Sequence, residues 1–203
     1  MSWFRKSRRG DSGGAAAIRT ENVVDSVMNP TSYSLVLFEG SHGAAIPSLL
    51  TECGYEIRRQ GASVGTPVEL MDGLRVIGSD PSIVLKAFYS TPEVTVLVEP
   101  EMVLLALNRD QLEEFCRVND TRCAAAVWER VSETAMLLEI DGSGLTHLTW
   151  YQSGSPVDDQ VDPRPEVASE PDGQGVRAAL EAAGWPVDLV FDPATVTVLE
   201  IQE

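Results

Sequence analysis

The chain has 203 residues, 43% of them hydrophobic and 23% charged, and its 31 acids against 15 lysines and arginines give a formal net charge of -16. That size suits one domain with decorations or two small ones, with apolar residues enough for a real core. So acidic a surface repels phosphate backbones, which sets the chain against direct nucleic-acid binding, and no apolar run reaches the roughly 18 residues of a membrane-spanning helix.

The opening MSWFRKSRRG gathers Arg5, Lys6, Arg8 and Arg9, so beyond Arg9 eleven basic side chains face 31 acids. Trp3 and Phe4 beside those cations suit weak, reversible contact with an anionic membrane surface, or docking on a partner. The plainer reading is a solvated terminus, or one folded back on the acidic body. Residues 1–30 read as a flexible, basic-tipped tail, within which 21–28 present Val23, Val24, Val27 and Met28 as a short amphipathic helix. The basic start lacks the apolar segment and cleavage site of a secretory signal, so the expected location is cytoplasmic. Residues 31–203 read as a single α+β domain. Removing 1–30 should leave its cooperative thermal melt intact; a lost transition would place Val23, Val24 and Val27 in the core.

In chain order, residues 32–38 (SYSLVLF) alternate and are rich in strand formers, which predicts a strand. Residues 44–53 follow as a helix, with Pro47 in the first turn and Gly54 as the stop, and 55–59 resume as a strand. Residues 68–77 hold a Met-Asp-Gly-Leu turn between two apolar halves, the mark of a hairpin, while 81–89 read as either helix or strand. Residues 93–98 (EVTVLV) make the clearest strand, and 102–107 continue its apolar pattern. Asn108 and Gln111 have the spacing of a capping box, opening a helix through Val118 that buries Leu112, Phe115 and Cys116. Residues 123–131 are ambiguous: three alanines favour helix, whereas AAAVWERV running into SETAMLLEI reads equally as strand. A hairpin over 135–140 and 145–151 turns at 141–144. Residues 153–175 hold six acids, four prolines and one arginine, a composition with almost nothing to bury, and so predict a mobile acidic loop. A helix over 175–183, stopped by Gly184, precedes strands at 187–191 and 195–201. The whole predicts a mostly antiparallel sheet with a few short helices.

One echo stands out. Ile46, Leu49, Leu50, Gly54 and Tyr55 share their spacing with Val176, Ala179, Leu180, Gly184 and Trp185. Each set is an apolar helix face, a glycine stop and an aromatic, which suggests two similar strand-helix-strand units, although any glycine-capped helix ends in much the same way.

Residues able to carry chemistry are few. Glu39-Gly40-Ser41-His42-Gly43 falls between a strand and a helix, where backbone amides can face an anion and His42 can act as a base; Ser41 could equally serve as a simple N-cap. The stretch lacks the Lys-Ser/Thr of a phosphate loop and the G-x-S-x-G of a nucleophile elbow. His147 shares a strand face with Leu145, Thr149 and Tyr151 by alternation. Ser41, His42 and His147 are therefore weak catalytic candidates. With two histidines and no HxH, HExxH or CxxC spacing, no metal or cofactor is expected, and Cys53, Cys116 and Cys123 read as buried thiols. Glu113-Glu114 and Asp158-Asp159 read as solvated charge.

VTVLVEP at 94–100, the helix after it, AAAVWERV and a strand pair turning at Asp141-Gly142-Ser143-Gly144 together resemble small uncharacterised α+β domains of actinobacterial genomes, over about 32–151. The resemblance tilts 123–131 towards strand and brings no activity with it.

The expected function is that of a non-enzymatic cytosolic interaction protein, an adaptor, inhibitor or immunity-type protein, whose acidic surface meets a basic protein partner. Asp158, Asp159, Asp162 and Glu166 of the acidic stretch are its expected contacts. The alternatives are a small hydrolase or transferase working near Ser41 and His42, and a peripheral membrane protein held by the Trp3 to Arg9 tip.

Overall fold

Tyr33–Glu39 (β1) buries every residue from Tyr33 to Phe38. Successive side chains of a strand point to opposite faces, so such a run is stable only where both faces of the sheet are covered. The computed structural model, which describes residues 32–65, 83–98, 109–158, 160–191 and 194–202, supplies both covers.

After β1 come a 3-10 turn at Gly43–Ala45, helix Ile46–Glu52 (α1), and strands Glu56–Gly65 (β2), Ile83–Ser90 (β3) and Val94–Val98 (β4). Helix Arg109–Asn119 (α2) leads into Cys123–Glu129 (β5), Thr134–Asp141 (β6), Gly144–Gln152 (β7) and Ser155–Pro156 (β8). Helices Pro165–Ser169 (α3), Gly173–Ala182 (α4) and Val187–Phe191 (α5) precede the last strand, Ala194–Gln202 (β9). The strands form one antiparallel sheet in the order β2-β9-β3-β4-β1-β5-β6-β7-β8, and the fold is α+β as the sequence predicts. Among the described residues no helix is long and apolar enough to cross a membrane.

One face of the sheet, with Leu35, Leu37, Val96, Ala124, Ala126 and Val198, lies under α3, α4 and α5 through Val167, Val176, Leu180 and Val187, with Trp185 between the last two helices. The other, with Val36, Phe38, Leu97, Ala125 and Val127, lies under α1 and α2 through Ile46, Leu49, Leu50, Leu112, Phe115 and Cys116. This arrangement settles 123–131. Cys123–Glu129 is a strand flanked by β1 and β6, and its alanines are buried on both faces. Small side chains there let helices approach from either side, and that packing overrides the helical preference of alanine. Lys86 on β3 is also buried, its ammonium 5.0 Å above the Tyr55 ring, a cation–π contact that offsets part of its desolvation.

The helix echo holds at its caps. Gly54 and Gly184 take φ of +94° and +78°, conformations that favour glycine. In both, the next amide reaches back into the helix, Tyr55 to the Leu50 carbonyl and Trp185 to that of Leu180, each at 3.0 Å. The two helices cover opposite faces; Tyr55 leads directly into β2 and Trp185 into β9 by way of α5, and β2 and β9 are neighbours in the sheet.

Several expectations change. Residues 187–191 alternate like a strand but form α5, started by Pro186, whose carbonyl accepts the Leu189 amide. Of the stretch 81–89, the described part, from Ile83 on, is strand β3, and β2 runs to Gly65, beyond the expected 59. Leu145 does not share a face with His147: a bulge after Glu139 skips Thr146 in the pairing, so Leu145 packs with the α1–α2 side. The stretch 153–175 carries β8, an isolated bridge between Val161 and Leu148, α3 and the start of α4, with Val167 fully buried. Val167 alone of its valines is buried, and Val161 joins the sheet through its backbone bonds to Leu148, which average composition hides. The hairpin expected at 68–77, the apolar run 102–107, the tail 1–30 and Asn108 lie outside the described residues.

Candidate functional site

Residues 39–43 turn off the end of β1 beside the β3–β4 connection. Thr95 Oγ1 donates to the Gly40 carbonyl at 2.9 Å and accepts the His42 amide at 2.7 Å. Its single hydrogen is thereby committed, so in the 2.7 Å contact with Ser90 the serine must be the donor. Ser90 Oγ then accepts from Ser41 across 3.1 Å. The polarity of this hydroxyl chain runs from Ser41 into the protein and ends on a carbonyl, so Ser41 hands its hydrogen to another hydroxyl and not to a base. His42 points elsewhere. Its Nε2 lies 2.8 Å from the Glu39 carbonyl, which can only accept, so the proton sits on Nε2, and the ring meets Phe115 edge-on at 5.7 Å. Ser41 is not a helix cap: the N-caps here are His42 and Ala45, neither with a side-chain bond. The structure thus brings Ser41 and His42 near one another without joining them.

At the same end of the sheet Arg122 acts as a clamp. Its guanidinium reaches both Glu39 carboxylate oxygens at 3.3 and 3.4 Å, donates to the Ala183 carbonyl at 2.9 Å, and lies 4.6 Å above the Trp185 ring. A cation on the last carbonyls of α4 suits the helix dipole.

His147 falls in a second cluster on the opposite side of β1. It stands across from Glu139, and its Nδ1 donates to the Asp162 carbonyl at 2.9 Å and meets the Asp162 carboxylate at 3.0 Å. Buried Glu139 takes the Arg164 guanidinium at 2.6 Å, and the Arg164 amide donates to buried Thr149 at 2.6 Å. Together with the paired amide bonds between Leu148 and Val161, these contacts strap Val161, Asp162 and Arg164 onto β7. Asp162, one of the expected partner contacts, meets His147 while its side chain stays 79% exposed. Asp158 is exposed, and Glu166 is half-buried on α3. Asp159 and the tip residues Trp3, Phe4, Arg5, Lys6, Arg8 and Arg9 lie outside the described residues. Among the described residues no group of three or more His, Cys, Asp or Glu side chains is placed to hold a metal. Cys116 and Cys123 are buried; the hydrogen bond that the Cys123 thiol donates to Cys116, and desolvation, push the Cys123 thiol well above its ordinary range, so it stays protonated.

A groove of about 590 Å³ opens where β5, the β7–β8 turn and the α3–α4 connection meet, lined by Trp128, Arg130, Glu133, Gly154, Glu170, Pro171, Asp172 and Gln174. Each wall is held by an identifiable bond. Asp172 caps α4, its Oδ1 accepting the Gln174 amide at 2.7 Å and the Gly175 amide at 3.2 Å. The Tyr33 hydroxyl donates to the Gly173 carbonyl at 2.9 Å; burial, and then the charge of Asp172, push that phenol far above its usual range. Gly173 lies so close to the indole that a side chain there would meet Trp128 Cδ1 at 2.9 Å. The Ser153 amide donates to the Glu133 carbonyl at 3.0 Å, joining the two turns. Sequence reading passed over Trp128, Glu133, Glu170 and Asp172. Only Asp172 carried a local signal, an Asp just ahead of an apolar helical pattern; the others meet only through the fold.

Compared with known protein families, curated proteins and solved structures, the chain matches none.

Proposed function

We propose that the protein is a non-enzymatic interaction protein, an adaptor, inhibitor or immunity-type protein, which binds a basic protein partner through its acidic surface. The observation that carries this reading is the groove, where the acidic stretch 153–175 supplies Glu170 and Asp172, the β5–β6 turn supplies Glu133, and Trp128 offers aromatic surface. Carboxylates around an aromatic surface recognise cationic side chains, and a net charge of -16 speeds encounter with a basic protein. The histidines fit the same reading, because the bonded nitrogen of each is spent on a local strap, His42 to Glu39 and His147 to Asp162.

The test is capture from a lysate of the source cell, followed by purification of the captured protein and titration against the full chain. A basic partner should bind at low salt and weaken as salt rises, since exposed charges are screened beyond a Debye length of about 8 Å at physiological ionic strength. His42→Ala and His147→Ala should leave that affinity unchanged. Recovery of no basic partner, with turnover of a small molecule that His42→Ala abolishes, would overturn the reading in favour of an enzyme near Ser41.

A further inference from the structure

We propose that the open face of β7 around Trp150 is a docking surface for a basic polypeptide that presents apolar side chains among lysines or arginines. This assignment rests on the interaction reading above, adds a second contact surface to it, and names what the partner must present there.

The surface arises because one corner of the sheet lacks a cover. Directly opposed residues of neighbouring strands share a face. Leu138 and Met136 of β6 stand opposite Leu148 and Trp150 of β7, and Val161 stands opposite Leu148 in turn, so all five lie on the α1–α2 side. Burial falls away along that row. Leu138 is buried, Met136 and Leu148 are half-buried, Trp150 is 36% exposed and Val161 39%. The other face of the same strand is closed: Thr149, between Leu148 and Trp150, is fully buried on the side where α3 packs. An apolar cluster left open on a strand whose opposite face is sealed marks a contact surface, and a tryptophan at its centre is the side chain that contributes most to such contacts. The indole is available. Whereas Trp185 lies under Arg122, Trp150 meets no cation and no second ring among the described residues.

Charge selects the occupant. The Val157 amide donates to the Trp150 carbonyl at 2.9 Å, which sets exposed Asp158 at the rim of the patch. Asp158 makes no ion pair among the described residues. A second copy of the chain would bring the same acid and a further net charge of -16 to the contact, and repulsion works against it. A basic segment gains from both parts of the surface: its apolar side chains take Trp150 and Val161 out of water, and its cations approach Asp158. An acidic apolar segment gains only the first, and a polar basic one only the second.

The experiment uses the full chain, 15N-labelled, and three acetylated, amidated twelve-residue peptides. The first has leucines at helical spacing with lysine elsewhere, the second glutamate in place of lysine, the third serine in place of leucine. The Trp150 indole N–H signal, assigned by its loss in W150F, should move with the leucine–lysine peptide and stay in place with the other two. V161S/D158N alters two exposed side chains and should bind the leucine–lysine peptide about tenfold more weakly. D158N alone, which leaves every apolar contact intact, should lose about threefold. An unmoved Trp150 signal, equal binding of the serine–lysine peptide, or unchanged affinity in both variants would overturn the assignment. So would a Trp150 signal that shifts with protein concentration in the chain alone, which would give the face to a second copy. The two readings fail separately. A captured basic protein indifferent to V161S/D158N removes this face and leaves the interaction reading standing. A leucine–lysine peptide seated on Trp150, with no basic protein captured, keeps the face and removes the proposed partner.

Discussion

Gly175→Ala is expected to lower the urea midpoint of the protein, with a loss of about 3 kcal/mol. Local propensity predicts the reverse, because alanine in a helix gains roughly 1 kcal/mol over glycine. Packing decides the sign. A Cβ at Gly175 would stand 1.8 Å from the Glu170 carbonyl oxygen and 2.9 Å from that of Glu166. Both are main-chain atoms, Glu166 within α3 and Glu170 its C-cap, and a carbonyl held in backbone geometry cannot rotate aside as a side chain does. To admit the methyl, α3 must move off α4, taking Val167 out of the core and shifting the Asp172 cap and the Glu170 wall of the groove. Gly142→Ala is the matched control: a Cβ there meets nothing within 4 Å, so its cost should stay within about 0.5 kcal/mol. An unchanged or raised midpoint for Gly175→Ala would mean that α3 is not packed on α4 as described.

What the sequence makes legible here is whatever local periodicity encodes. The buried run of β1, the face of α2 formed by Leu112, Phe115 and Cys116, and the glycine caps at 54 and 184 all follow from neighbours within one turn or one pleat. Where a local pattern fits two structures, tertiary packing chooses. The alternation of 187–191 suits a strand, yet Val187 and Leu189 join the α4 side of the core on one turn of helix, and the Tyr89 hydroxyl fixes that turn by donating to the Leu189 carbonyl. The groove is illegible for another reason. Trp128 and Gly173, or Tyr33 and Gly173, are neighbours only because β1, β5 and α4 stack, and no short window contains both partners. Likewise His147 and Asp162, judged separately as a strand histidine and a loop acid, are one contact.

Arg164→Met should cost about 3 kcal/mol, and the cause is the carboxylate it abandons. The Glu139 side chain is 8% exposed and that of Arg164 24%, with 2.6 Å between them. Removing the guanidinium leaves a charge in the sheet face with its main partner gone, which costs more than the pair itself contributes. Glu139→Leu in the same chain removes that stranded charge, so the double variant should recover most of the loss. A cycle of the two single variants and the double, read by urea melts, should therefore show a coupling of about 2 kcal/mol. Strict additivity would mean that the contact carries no energy. A second readout separates the strap from bulk stability. In the parent, the Arg164 amide, the Leu148–Val161 bridge and the His147–Asp162 bond hold 161–164 on β7, and limited proteolysis should spare that segment. In Arg164→Met the guanidinium no longer anchors it, and cleavage should appear between 161 and 164 well below the melting midpoint, leaving two fragments that remain associated through the sheet. Rapid cleavage of the parent at those positions would restore the mobile loop that the composition suggests, and would leave Glu139 and Arg164 as a pair that forms only part of the time.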